Sequence, residues 1–105
     1  METLRERLIE HLKRIEPAET VDGSLGRVLK NQAEGKLKEL RGLVRYYQTR
    51  YGMAADVFYA QKIKDQDHTW ADEETYFDWV SAIQGTEEME KEMVGLEELL
   101  ARADC

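Results

Sequence analysis

Two long runs of apolar residues, spaced three or four positions apart, constrain the fold of this chain most strongly. Such spacing places the side chains on one face of an α-helix and is typical of helices that pair along a seam. The first run is Leu29, Ala33, Leu37, Leu40, Val44, Tyr47 and Tyr51, and the second is Trp79, Ile83, Thr86, Met89, Met93, Leu96 and Leu100. Because the chain has one proline and little strand-like alternation, it is predicted to be all-α.

Turn and capping residues divide the chain into four predicted helices. The predicted bounds are 1–16 for the N-terminal helix, 24–51 for the second helix, 54–63 for a short helix and 70–102 for the last helix. Thr3, Ser24 and Thr69 are placed to cap three of these helices, because a hydroxyl at that position accepts a backbone N–H of the first turn. Pro17 ends the first helix and Gly52 ends the second.

The two long helices are predicted to form an antiparallel hairpin, because they are similar in length and joined by a compact connection. The short helix packs across the tip of this hairpin, with Phe58, Phe77 and Trp79 in the core. The N-terminal amphipathic helix lies against the hairpin, or alternatively forms a detachable arm. At 105 residues, the chain is predicted to be a single domain.

Charge is distributed unevenly between the two predicted arms of the hairpin. Residues 24–52 carry seven basic and two acidic side chains, whereas residues 72–98 carry ten acidic and one basic side chain. Attraction between the arms would fix their pairing, yet it leaves an acidic surplus on the last helix. This surplus is either a solvated face or a surface for a basic protein partner. The net charge of −7 argues against direct nucleic-acid binding.

The sequence contains no catalytic motif. Asp65 and His68 could supply two metal ligands, but no ExxH pair on a helix accompanies them. Glu87 and Glu90 resemble half of the magnesium-binding motif of all-α nucleotide pyrophosphohydrolases, and the second half is missing. No Ser or Cys has a base nearby, and no glycine-rich phosphate loop is present. We therefore expect a protein that is not an enzyme and that binds no metal or cofactor.

The chain also lacks the signals of a membrane or secreted protein. No apolar run approaches the roughly 18 residues of a membrane span, and the N-terminus has no apolar signal-peptide segment. We therefore expect a cytoplasmic protein without membrane association. The single cysteine, Cys105, excludes an intrachain disulfide. The sequence does not determine the role of Cys105 or of His68.

The central part of the chain resembles short prokaryotic proteins identified as antitoxin components of small toxin–antitoxin pairs. The matching segments are Tyr51-Gly52-Met53, Asp56-Val57-Phe58-Tyr59, Tyr76-Phe77-Asp78-Trp79 and the charged, Leu-rich tail to Leu100. The resemblance covers roughly residues 37–102. It implies a non-catalytic protein that masks a toxin, often a basic ribonuclease, by burying apolar surface and matching charge.

We therefore expect a protein-binding module that neutralises a basic toxin through an acidic helical face. The residues expected to contact the partner are Tyr59, Trp70, Glu87, Glu88, Glu90 and Glu92. The alternative is a self-associating scaffold, in which two hairpins pair into a dimeric four-helix bundle through their Leu and Met seams. A homodimer is compatible with both functions.

Overall fold

The computed structural model describes residues 1–64 and 68–103, and over these ranges it contains helices and no strand. The elements are α1 (Leu4–Ile15), α2 (Val21–Tyr51), α3 (Ala55–Phe58), a π-helical turn (Tyr59–Ile63) that continues α3, and α4 (Trp70–Ala103). The long helices α2 and α4 pack against each other as an antiparallel hairpin. The predicted all-α hairpin is therefore confirmed.

Contacts divide the chain into two compact units. The aromatic unit comprises residues 36–90, and the terminal unit comprises residues 1–35 together with residues 91–105. Each unit contains part of α2 and part of α4, because both helices run through the two ranges. The assignment of the chain to a single domain stays a prediction.

The core of the aromatic unit is built around Trp79. The side chains of Trp79 and Phe58 are 0% and 1% exposed. The Trp79 ring stacks on Tyr47 and Tyr51 of α2, with centroid separations of 5.6 and 6.0 Å, and its centroid lies 5.6 Å from that of Phe58. Large rings in offset contact contribute both buried area and favourable ring geometry. These contacts hold α2, α3 and α4 together and confirm the predicted core positions of Phe58 and Trp79.

The predicted core position of Phe77 is wrong, because its side chain is 62% exposed. Phe77 precedes Trp79 by two residues, which is about 200° around a helix, so the two rings face opposite ways. Ala82, nearly one turn after Trp79, is buried instead.

A Cβ on Gly85 would lie 3.1 Å from Cδ1 of Leu40, so this glycine lets α2 approach α4 closely.

The helix ends at the connection follow the predictions. Gly52 has a φ of +65°, and its N–H donates to the carbonyl of Gln48 at 2.8 Å, which ends α2 in the left-handed conformation. The hydroxyl of Thr69 accepts the N–H of Asp72 at 3.1 Å and caps α4, which begins at Trp70 as predicted.

In the terminal unit, α2 begins at Val21, three residues before the predicted start. The cap is Thr20, whose Oγ1 accepts the N–H of Gly23 at 2.9 Å, and the predicted cap Ser24 lies inside the helix. Ser24 is fully buried, and its hydroxyl finds no hydrogen-bond partner among the described residues. Both Thr20 and Ser24 are favourable caps by residue type, so the sequence alone does not rank them.

The seam of α2 in the terminal unit differs from the predicted one at Leu29, which is 47% exposed. Gly26 takes its place, since it lies seven residues before the buried Ala33 and therefore on the same face. A Cβ on Gly26 would collide with the side chain of Leu100. The absence of a side chain at Gly26 therefore permits the close packing of α4 on α2 in this unit.

The N-terminal helix α1 keeps its predicted cap, because Thr3 Oγ1 accepts the N–H of Glu6 at 3.1 Å. It contains no buried residue, and Leu4, Leu8 and Ile15 are 75%, 59% and 75% exposed. Although α1 belongs to the terminal unit, these three side chains of its apolar face are open to solvent.

Candidate protein-binding surface

One face of α4 in the aromatic unit carries the two most exposed aromatic side chains of the protein. Trp70 and Phe77 are 74% and 62% exposed. Because they are seven residues apart, which is close to two helical turns, they project from the same face. Glu73 and Glu74 lie between them, three or four positions from each ring, and are neighbours of both on this face. These four residues form the aromatic–acidic patch.

The patch continues through Tyr76 to Tyr59. The ring centroids of Tyr76 and Phe77 are 6.1 Å apart, and those of Tyr59 and Tyr76 are 5.0 Å apart. Tyr59 is the first residue of the π-helical turn and is 38% exposed. The row of rings therefore connects Tyr59, a predicted partner-binding residue, to the patch on α4.

The four predicted partner-binding glutamates have different surroundings. Glu90 Oε1 accepts a hydrogen bond from the guanidinium of Arg41 at 3.1 Å, with both side chains about half exposed. Glu87 lines a groove between α2 and α4. Glu88 is exposed and lies about three turns beyond the patch on the same face of α4, so it extends the acidic surface. Glu92 belongs to the terminal unit.

The groove between α2 and α4 has a volume of about 350 Å³. Its lining residues are Arg41, Val44, Arg45, Gln48, Ile83, Thr86 and Glu87. The hydroxyl of Thr86 donates to the carbonyl of Ala82 at 2.8 Å and is therefore held by its own helix. Thr86 supplies the one hydroxyl of this lining, all of which is described, and its hydrogen bond goes to a backbone carbonyl rather than to a basic side chain. The groove offers apolar contact and mixed charge to a ligand.

His68 approaches the patch from the residues that precede α4. Its Nε2 lies 2.9 Å from Oε1 of Glu73, which restricts the carboxylate at the edge of the patch. Asp65, the predicted companion metal ligand, lies outside the described residues, as does Cys105. Among the residues that the structure describes, no group of three or more His, Cys, Asp or Glu side chains could hold a metal ion.

The pKa values of two residues of α2 beside the aromatic core, Tyr47 and Arg50, are shifted. Desolvation raises the pKa of the Tyr47 phenol, and the nearby Asp78 carboxylate raises it further. The guanidinium of Arg50 donates to the Tyr46 hydroxyl at 2.9 Å and lies 5.7 Å from the centroid of the Tyr51 ring. The hydrogen bond to Tyr46 raises the pKa of Arg50. Tyr47 is therefore neutral and Arg50 charged at neutral pH.

The patch contains three residues that the sequence-based prediction did not include as partner-binding residues. The sequence places Phe77 in the predicted core and does not single out Glu73 or Glu74. The spacing of seven residues between Trp70 and Phe77 is the signal that could have identified the patch.

No family model, curated protein or solved structure matches this chain. Across the described ranges, no helix is long and apolar enough to cross a membrane. The antitoxin resemblance therefore stays an expectation, and the chemistry of the surface itself is what indicates a function.

Proposed function

We propose that this protein is a non-catalytic, antitoxin-like module that binds a basic protein through the aromatic–acidic patch of α4. The observation that carries the proposal is the exposure of two large rings, Trp70 and Phe77, around two carboxylates. Neither Glu73 nor Glu74 forms an ion pair with a lysine or arginine of the described chain. The patch therefore combines unburied apolar area with negative charge that is not neutralised by a Lys or Arg partner.

These two properties suit a protein interface. Trp, Tyr and Phe are enriched where partners bury surface, and a few such side chains contribute most of the binding energy. An arginine or lysine of the partner can stack on an aromatic ring and pair with a neighbouring carboxylate. A basic partner would satisfy both kinds of group at once, with Tyr59 and Glu88 extending the contact.

The charge of α4 supports a basic partner over a neutral one. Residues 72–98 carry ten acids and one base, and Arg41–Glu90 is the one ion pair between α2 and α4 within the described residues. Exposed pairs of this kind contribute about 0.2–1 kcal/mol each, so the hairpin needs few of these acids for its stability. The remaining negative charge would accelerate the encounter with a basic protein. Glu87, Glu90 and Glu92 contribute to this negative charge.

The function that fits best is the neutralisation of a basic toxin, a ribonuclease being the favoured class from the antitoxin resemblance, in a prokaryotic cytoplasm. The partner to test is a short basic protein encoded beside this one. Its affinity for the full-length chain can be measured by calorimetry at two salt concentrations. We expect Trp70→Ala and Phe77→Ala each to weaken binding about tenfold or more.

Two controls make this test specific. Tyr46→Ala removes another exposed aromatic ring, on α2, and should leave the affinity unchanged. Glu74→Lys with Glu88→Lys should weaken binding and reduce its salt dependence, because the variant loses charge complementarity. Equal affinities for the Trp70, Phe77 and Tyr46 variants would contradict the assignment of the patch as the binding surface.

A further inference from the structure

An apolar stripe of α1, formed by Leu4, Leu8 and Ile15, is exposed to solvent, whereas Leu12 beside it is half-buried. Leu4, Leu8 and Ile15 are largely exposed, and together with His11 they recur at steps of four, three and four along one face. A helix of 12 residues is marginally stable in water without tertiary contacts. Docking of this stripe onto another surface would therefore stabilise α1 and remove apolar area from water.

The charges beside the stripe indicate what kind of surface it fits. Arg7 and Arg14 are seven residues apart and lie along one edge of the stripe. Glu6, Glu10 and Lys13 project from the opposite side of the helix. The stripe therefore presents aliphatic side chains bordered by arginines, and its complement needs apolar groups bordered by acids.

Charge argues against the pairing of α1 with α1 of a second copy. In an antiparallel pair, Arg7 of one helix would face Arg14 of the other, and like charges there are destabilising. In a parallel pair, the arginine edge of one helix would face Arg5 and Leu12 on the other edge of its partner. Neither of these residues is acidic, so the arginines would find no carboxylate there. The complement must therefore be a different surface.

The aromatic–acidic patch has the required chemistry and the required spacing. Trp70 and Phe77 repeat after seven residues, as do Leu8 and Ile15 on α1, so both pairs recur over the same axial distance of about 10 Å. The acids Glu73 and Glu74 border the rings, and Glu88 follows on the same face. Aliphatic side chains bordered by arginines thus match aromatic rings bordered by carboxylates.

We propose that the α1 stripe of one copy docks on the aromatic–acidic patch of a second copy. Leu8 and Ile15 contact the rings of Trp70 and Phe77, while Arg14 faces the acids. Because each copy carries both surfaces, a twofold dimer contains two such contacts. This inference rests on the proposed function, because it uses the same patch. It specifies the partner of that patch as an amphipathic helix bordered by arginines.

Sedimentation velocity of the full-length chain, from low to several hundred micromolar, tests the dimer. We expect a monomer–dimer equilibrium that weakens with added salt. Arg14→Glu should weaken the dimer about tenfold or more, whereas Lys13→Glu, the same charge change on the opposite side of α1, should leave it unchanged. Glu74→Arg should weaken it too, and Arg14→Glu with Glu74→Arg in one chain should restore it.

Three outcomes would overturn the inference: a monomer at every concentration, equal weakening by Lys13→Glu and Arg14→Glu, or no restoration in the double variant. A monomer whose binding of the basic protein still requires Trp70 and Phe77 would refute the dimer and support the proposed function. If the double variant restores dimerisation and the unmodified chain binds no basic protein, the dimer is supported and the proposed function is refuted.

Discussion

The aromatic unit and the terminal unit use the same two helices and pack them in different ways. In the aromatic unit, the rings of Trp79, Phe58, Tyr47 and Tyr51 lie 4.9–6.0 Å apart and fill the space between helices. In the terminal unit, the packing positions hold small residues, among them Gly26, Ser24 and Ala33. Small residues permit close approach but bury little apolar area, so the surrounding aliphatic side chains stay exposed.

This difference indicates that the aromatic unit has the larger buried core, while both units expose apolar side chains of different kinds. The exposed large apolar residues of the terminal unit include the aliphatic side chains of Leu4, Ile15 and Leu99, whereas those of the aromatic unit include the rings of Trp70 and Phe77 in the aromatic–acidic patch. The aromatic unit has the stronger core because Trp and Phe bury more area per side chain.

The strongest test of this comparison removes the central ring of the aromatic unit. Trp79→Ala should lower the free energy of unfolding by about 3–5 kcal/mol, because it leaves a large cavity among packed rings. Phe77→Ala, two residues away and 62% exposed, should change it by less than about 0.5 kcal/mol. Urea unfolding of both variants measures the difference, and similar losses would show that the two rings do not face opposite ways.

A smaller effect is expected where the terminal unit packs most closely. Gly26→Ala should destabilise the protein by about 1–3 kcal/mol, because the added Cβ meets the side chain of Leu100. Gly95→Ala on α4 meets nothing within 4 Å and should stabilise it by up to about 1 kcal/mol through helix propensity. Native-state hydrogen exchange would locate the first effect in residues 1–35 and 91–103. A stabilising Gly26→Ala would contradict the close packing of α4 on α2.

The smallest effect concerns the pH dependence of the aromatic core. Because the pKa of Tyr47 is raised above 10.0 in the folded protein, the folded state holds its proton more tightly than the unfolded chain. The resulting stability is fully present below pH 10 and is lost as the pH rises through the folded pKa. Tyr47→Phe keeps the ring and removes the proton, so its unfolding free energy should fall less above pH 10. Parallel pH profiles for the two proteins would exclude this linkage.

The sequence predicts those parts of the fold that are determined locally. The caps at Thr3 and Thr69 and the glycine that ends α2 depend on one turn of backbone, and their residue types were sufficient to identify them. The start of α2 was predicted incorrectly because Thr20 and Ser24 compete for the same role, and the choice between them depends on the packing that buries Ser24.

Tertiary contacts decide which face of each helix is turned inward, and no local sequence pattern supplies these contacts. Phe77 and Trp79 are both apolar aromatics, and only the stacking of Trp79 on α2 decides which one faces inward. Similarly, hydrophobicity favours Leu29 as a seam residue, but the close approach of Leu100 selects Gly26. For the candidate site, the sequence predicts Trp70 as a partner-binding residue, whereas Phe77 and the acids beside it are identified only once the inward face of α4 is known.

The two tryptophans lie in opposite environments, one fully buried and the other 74% exposed. Trp79 should therefore emit at short wavelength and be shielded from collisional quenchers, while Trp70 should emit at long wavelength and be quenched freely. Docking at the patch would protect Trp70 alone, whereas unfolding would expose Trp79. The intrinsic fluorescence of the unlabelled protein thus separates binding from unfolding in a single titration.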